Sequence, residues 1–155
     1  MIVLVMGVAG VGKTTIGEAL AQALGARFID ADDYHPPENV AKMKAGIPLQ
    51  DVDRWPWLQR LNEILKTHPR AVLACSALKE SYRRRLAEGI PEFKVVYLHG
   101  TSELIRERMK TRQHRYMPAA LLDSQLATLE PPVGAIEIDV AAPLETSVAA
   151  IVARL

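Results

Sequence analysis

The stretch that most narrows what this chain can fold into is VLVMGVAGVGKTT, Val3–Thr15. Val3–Met6 is short, wholly apolar and rich in β-branched residues, which predicts a central parallel strand buried on both faces. Gly7–Thr15 follows at once and fits G-x-x-x-x-G-K-[ST] in full. A helical pattern, Thr14–Leu24, comes next and ends at Gly25, a good C-terminal cap. Strand, glycine loop and helix in that order form a phosphate cradle. Glycines let main-chain N–H groups converge on phosphate oxygens, and the helix N-terminus adds free donors and a positive dipole end. Gly7, Val8, Ala9, Gly10, Val11, Gly12, Lys13, Thr14 and Thr15 are therefore the expected ATP contacts. Lys13 should reach the β- and γ-phosphates, and the Thr14 hydroxyl should ligate Mg²⁺.

The rest of the chain reads as an alternation. Further strands are predicted at Arg27–Ile29, Ala71–Cys75, Lys94–Leu98 and Ala135–Val140. Helical patterns lie between and after them, at Asn39–Ala45, Trp57–Thr67, Leu78–Glu88, Ser102–Arg112, Ala119–Leu129 and Leu144–Arg154. Such alternation means an α/β fold with a parallel sheet. Gly46–Pro56 and Gln113–Pro118 read as long irregular stretches.

The 155 residues, 49% of them hydrophobic, suit one domain over residues 1–155. A net charge of +1 gives no nucleic-acid footprint, and Arg83-Arg84-Arg85, the only basic run, reads as a solvated helix face. One cysteine, Cys75, excludes an internal disulfide and reads as a small buried hydrophobe. Met1–Met6 is too short for a signal segment and nothing is long enough to span a membrane, so no membrane partner and a cytoplasmic location are expected. The motif names no reaction. A GTPase would need a late Asn-Lys-x-Asp, which is absent, and the chain is short for a motor. A compact kinase acting on a small molecule remains.

FIDADDYHPP, Phe28–Pro37, ends the second strand with three carboxylates. A neighbouring strand end faces the γ-phosphate in such a sheet. Asp32 is assigned to the acceptor hydroxyl, whose proton it would take, and Asp30 to the metal shell through water. Asp33 reads as a solvated turn residue. The competing reading is that one Asp caps the helix near Pro36-Pro37.

HPPENVAKMKAGIPLQDVDRWPWL, His35–Leu58, resembles the gluconokinase family: His-Pro, Asn, Lys-Met, Gly, Pro-Leu, Asp, Asp-Arg and Pro-Trp-Leu all stand at the family spacing. CSALKESYR, Cys75–Arg83, and LLDSQLATLEPP, Leu121–Pro132, extend the resemblance over nearly the whole chain. It implies ATP-dependent phosphorylation of D-gluconate at its 6-hydroxyl, with Mg²⁺. It also implies a shikimate-kinase-like three-layer α/β/α fold with a five-stranded parallel sheet, order 2-3-1-4-5, and a lid at about 112–118. Members are commonly dimers, so a homodimer is expected.

Gluconate carries one carboxylate and many hydroxyls, so its pocket needs a cation and several hydrogen-bond partners. Arg54 can fork onto a carboxylate, or pair with Asp51 or Asp53. His35 reads as a hydroxyl partner or as a structural residue. Lys42 reads as a substrate contact or an exposed helical lysine. Trp55 and Trp57 could line the sugar site, with Trp57 read rather as a core anchor. Ser76 should face the cleft at the end of the third strand. Lys79 and Arg83, one helical turn apart, can point at substrate or transferring phosphate, or lie solvated.

In RMKTRQHRYMP, Arg108–Pro118, Arg112 is assigned to the nucleotide and Arg115 to the transferring group. The family more often reads Gly-His-Phe or Gly-His-Tyr where this chain has His114-Arg115-Tyr116, so His114 stays an alternative to Arg115. Arg108 reads as a helix-surface ion pair with Glu107 or Glu103. By resemblance the loop at Asp139–Glu145, with Pro143, packs along the adenine. Two rival readings stand beside the main one. One is another small-acceptor kinase such as a shikimate kinase, which should lack the His35–Leu58 block. The other is a nucleotide-binding regulator without turnover.

Overall fold

The computed structural model describes residues 1–111 and 122–155. Arg112, His114, Arg115 and the expected lid lie outside the described residues. Five strands form one parallel sheet in the order β2-β3-β1-β4-β5. They are β1 (Ile2–Met6), β2 (Arg27–Asp30), β3 (Ala71–Ala74), β4 (Phe93–His99) and β5 (Ile136–Asp139). Helices α1 (Lys13–Leu24), α2 (Pro37–Lys44), α3 (Asp51–Lys66), α4 (Glu80–Ala87), α5 (Ser102–Thr111), α6 (Leu122–Thr128) and α7 (Leu144–Arg154) complete the described elements, with a 3₁₀ turn at Ala31–Tyr34.

Every residue of β1 is buried, and the strand's period of two divides it between two cores. Val3 and Val5 pack toward Ile16 and Leu20 of α1, Ile105 of α5 and Ile151 of α7. Ile2, Leu4 and Met6 pack toward Leu58, Leu61 and Leu65 of α3 and Tyr82 and Leu86 of α4. This is the three-layer α/β/α sandwich that the family resemblance implies, built on the parallel sheet that the alternation predicts. The chain leaves β1 toward β2 and β3 on one side and β4 and β5 on the other. The glycine loop therefore opens at the topological switch, where the carboxyl ends of the strands converge.

Two features differ from the sequence reading in ways that matter. Helix α3 begins at Asp51, inside the stretch expected to be irregular. A capping box starts it: Gln50 accepts from the third helical N–H, and the Asp53 carboxylate accepts from Gln50 N at 2.9 Å. Pro56, the end of that stretch, lies inside the helix, four residues after the exposed Val52. The second difference is the basic run, which is not one solvated face. Arg84 points outward, but Arg83 is only 4% exposed. No helix among the described residues is long and apolar enough to cross a membrane.

Candidate active site

The phosphate loop is built on two kinds of necessity. Gly10 (φ 88°) and Gly12 (φ 93°) hold left-handed backbone that side chains disfavour. At Gly10 space also forbids a side chain, because a Cβ would come within 2.8 Å of Met109 Cγ. Gly12 caps α1, and no acidic residue stands in that helix's first turn, so its N-terminal donors stay open to an anion. Lys13 Nζ curls back onto Val8 O at 3.0 Å. Burial pulls its pKa below the ordinary lysine value, against the raising effect of Asp32, Cys75 and Asp30. Thr14 and Thr15 are exposed on the first turn.

A cavity here is lined by Gly10, Gly12, Lys13, Thr14, Asp30, Asp32 and Ser76, among others. The donor set fits a nucleotide phosphate chain. It also fits Mg²⁺ that arrives with those phosphates: Thr14 and Asp30 stand together, while the described residues contain no cluster of three His, Cys, Asp or Glu side chains able to cage an ion alone. Asp30 has a second task, since its Oδ1 accepts from Asp32 N at 3.0 Å. Asp30 thus caps the 3₁₀ turn and fixes the main chain that carries Asp32, whereas the helix at Pro36-Pro37, where an Asp cap was the competing reading, starts without a side-chain cap.

A second cavity lies alongside, lined by Asp32, His35, Leu49, Arg54, Trp57, Ser76, Tyr82 and Gln125 among others. Asp32 and Ser76 line both cavities and mark their junction. Arg54 enters from α3. One guanidinium nitrogen donates to Leu49 O at 2.7 Å and to Tyr82 Oη at 3.1 Å, and lies 3.8 Å from Asp51 Oδ1. Arg54 thus pairs with Asp51, as one reading has it, and the same side chain lines the pocket. Tyr82 in turn donates to Asp51. Burial first, then that bond, pushes the Tyr82 phenol up to about 12, and the same bond is the main cause holding Asp51 below the usual carboxylate range.

His35 and Trp57 line the same cavity. Their rings stack at 3.9 Å and 18°, and Trp57 Nε1 donates to Ala31 O at 2.8 Å. Trp57 is thus both core anchor and pocket wall. Burial, then Arg54, lowers the His35 pKa to about 4, so the ring is neutral. Trp55 packs edge-on against Tyr82.

Other expected contacts sit elsewhere. Lys42 is held 3.0 Å from Asp53 and does not line either cavity. Lys79 caps α4 rather than lying within it, and its ammonium pairs with Asp51 at 3.3 Å beside the second cavity. Arg83 does not point at the site. Its guanidinium donates to Ala77 O at 2.7 Å, Glu130 O at 2.8 Å and the Glu80 carboxylate at 3.1 Å. Ala77 lies at φ 45°, the one non-glycine with positive φ among the described residues, so Arg83 braces a strained turn in the pocket wall. Arg108 donates to Val140 O at 2.6 Å, tying α5 to the loop after β5, where its expected partner had been Glu107 or Glu103. Pro143 is exposed and caps α7. Cys75 is buried, and burial pushes its thiol up to about 12, which suits packing and not nucleophilic attack.

Sequence reasoning did not single out Gln125. From α6 its Oε1 accepts the Ala9 N–H of the phosphate loop at 2.7 Å, while its side chain also lines the second cavity. The one available signal was the Ser-Gln pair within LLDSQLATLEPP.

The shikimate kinase family profile matches residues 9–128. A thermosensitive gluconokinase of Escherichia coli K12 is 47% identical over 133 residues, 83% of this chain and 71% of its own length. A probable gluconokinase of Xenopus tropicalis is 43% identical, across 100% of this chain and 91% of its own. Among solved structures, a gluconokinase from Sinorhizobium meliloti 1021 superposes with a TM-score of 0.89 at 48% identity, covering 97% of this chain and 89% of that one. A shikimate kinase from Bacteroides thetaiotaomicron, at 18% identity and TM-score 0.73, shares the fold. With its phosphate loop, its two adjoining cavities and this degree of likeness, the chain belongs to the shikimate kinase family and, within it, to the gluconokinases, ATP-dependent kinases that move a phosphoryl group onto a hydroxyl.

Proposed function

We propose that this protein transfers the γ-phosphoryl group of ATP to the 6-hydroxyl of D-gluconate, giving 6-phospho-D-gluconate and ADP. The observation that carries the reading is the junction: Asp32 lines both the phosphate-loop cavity and the second cavity that holds Arg54. A carboxylate there can orient an acceptor hydroxyl in line with a γ-phosphate and take its proton as the new bond forms. Arg54, oriented by Leu49 and Tyr82, is suited to the gluconate carboxylate. Lys13 and the loop N–H groups bind and neutralise the phosphates. Mg²⁺, held by Thr14 and through water by Asp30, would neutralise phosphate charge when bound. Arg112 and Arg115 are proposed to close over the nucleotide, with the whole chain acting as one kinase unit. We take the protein to be a cytoplasmic homodimer.

The test is a coupled ADP-release assay with gluconate, shikimate, other aldonic acids and nucleoside monophosphates. Gluconate should give the highest kcat/KM, and turnover no faster than the ATP-only background would defeat the proposal. Asp32→Asn should then lower kcat by roughly 10²-fold or more with little change in ATP affinity. An equal loss in Asp33→Asn would reassign the base.

A further inference from the structure

Asn39 is 2% exposed on α2 and lines neither cavity, yet it hydrogen-bonds to a residue that does. Its Nδ2 lies 2.9 Å from Asp53 O and 3.2 Å from His35 Nδ1. A main-chain carbonyl can only accept, so the amide atom facing Asp53 O must be nitrogen. That nitrogen's second hydrogen then points at His35 Nδ1, which must accept it. In a neutral imidazole one nitrogen accepts and the other carries the proton, so the proton sits on Nε2. The Trp57 stack keeps the ring from turning over.

Nε2 stands 3.9 Å from Asp32 Oδ1, too far for a direct hydrogen bond. An oxygen atom between the two can lie about 2.8 Å from each, a normal hydrogen-bond length. We propose that Asn39 locks His35 as the Nε2–H tautomer, so that His35 donates to the acceptor hydroxyl whose proton Asp32 takes; this rests on the kinase reading above. In the step, the hydroxyl oxygen forms the new bond to phosphorus. The bond from phosphorus to the ADP oxygen breaks, and its electron pair leaves with ADP. The hydroxyl proton ends on Asp32. His35 lends a hydrogen bond and keeps its own proton. Asn39 touches no substrate and is a positioning residue. The charged groups around the ring are Asp32 and Arg54, and the Lys42–Asp53 pair lies behind Asn39.

Two-bond ¹H–¹⁵N correlation spectra of histidine-labelled protein read the tautomer directly, without substrate. The His35 signals are assigned by their loss in H35Q. Near neutral pH the wild type should show Nδ1 unprotonated and Nε2 protonated. An Nδ1–H signature would overturn the proposal whatever the enzyme phosphorylates. N39L should mix the tautomers and lower kcat on gluconate about tenfold, with KM for ATP unchanged. The double variant N39L/H35Q should lose no more activity than H35Q alone, because Asn39 acts through His35. Losses that multiply in full would mean that Asn39 serves packing only. Failure of the gluconate reading would look different: no wild-type turnover, with the tautomer signal intact.

Discussion

Arg83→Met separates a brace from a substrate contact. Methionine keeps much of the stem and removes a guanidinium that makes four hydrogen bonds. The two to Glu80 matter least, because that carboxylate is 51% exposed and water replaces the pair. The two to Ala77 O and Glu130 O matter more. Each carbonyl left without its donor costs roughly 1–3 kcal/mol, so the expected loss is about 2–6 kcal/mol. For a chain of this size, at about 2–4 °C per kcal/mol, that lowers Tm by roughly 4–24 °C. Thermal unfolding of the two proteins measures it directly. A77G placed in the R83M background should recover about 1 kcal/mol, since glycine holds φ 45° without strain. Steady-state kinetics give the opposing result. If R83M melts with the wild type but loses kcat/KM by orders of magnitude, Arg83 contacts substrate or phosphate and the brace is wrong.

Two further outcomes follow from the geometry. Gln125→Leu removes the acceptor for the Ala9 N–H, so the phosphate loop should loosen and KM for ATP rise about tenfold in initial-rate assays. His35 makes stability depend on pH. Its folded pKa of about 4 lies below the ordinary 6.5, so the unfolded chain binds a proton that the folded chain refuses. Stability is therefore full above pH 6.5 and is lost as pH falls toward 4. The 2.5-unit difference (6.5 − 4) corresponds to at most about 3 kcal/mol. Urea denaturation from about pH 7 to about pH 4 should show a flatter stability curve for His35→Gln than for the wild type, and parallel curves would mean that the dependence does not arise at His35.

Much of this protein was written locally. Val3–Met6 could only be a strand buried on both faces, and Gly7–Thr15 could only close one kind of turn. Each is set by residue types at neighbouring positions. The α/β alternation followed from apolar runs and helical periods, and it led to the observed strand order through the family resemblance. Asp32, Arg54 and Ser76 were legible because strand ends and a motif block marked them. Local reasoning failed where a side chain's partner lies far along the chain. Arg83 and Lys79 share a motif and a charge. One is spent on the Ala77 and Glu130 carbonyls, the other on Asp51, and only packing decides which. Gln125 reaches Ala9 across 116 residues, and Tyr82 reaches Asp51 across 31. Asp51–Pro56 read as irregular until a capping box started α3 ahead of it. The sequence by itself determined that the chain builds a phosphate cradle beside a carboxylate-bearing strand end, because those features depend on backbone sterics and short-range periodicity. Tertiary structure alone decided which cations serve the pocket and which brace it, because a buried charge goes to whichever carbonyls and carboxylates the fold brings within hydrogen-bond reach.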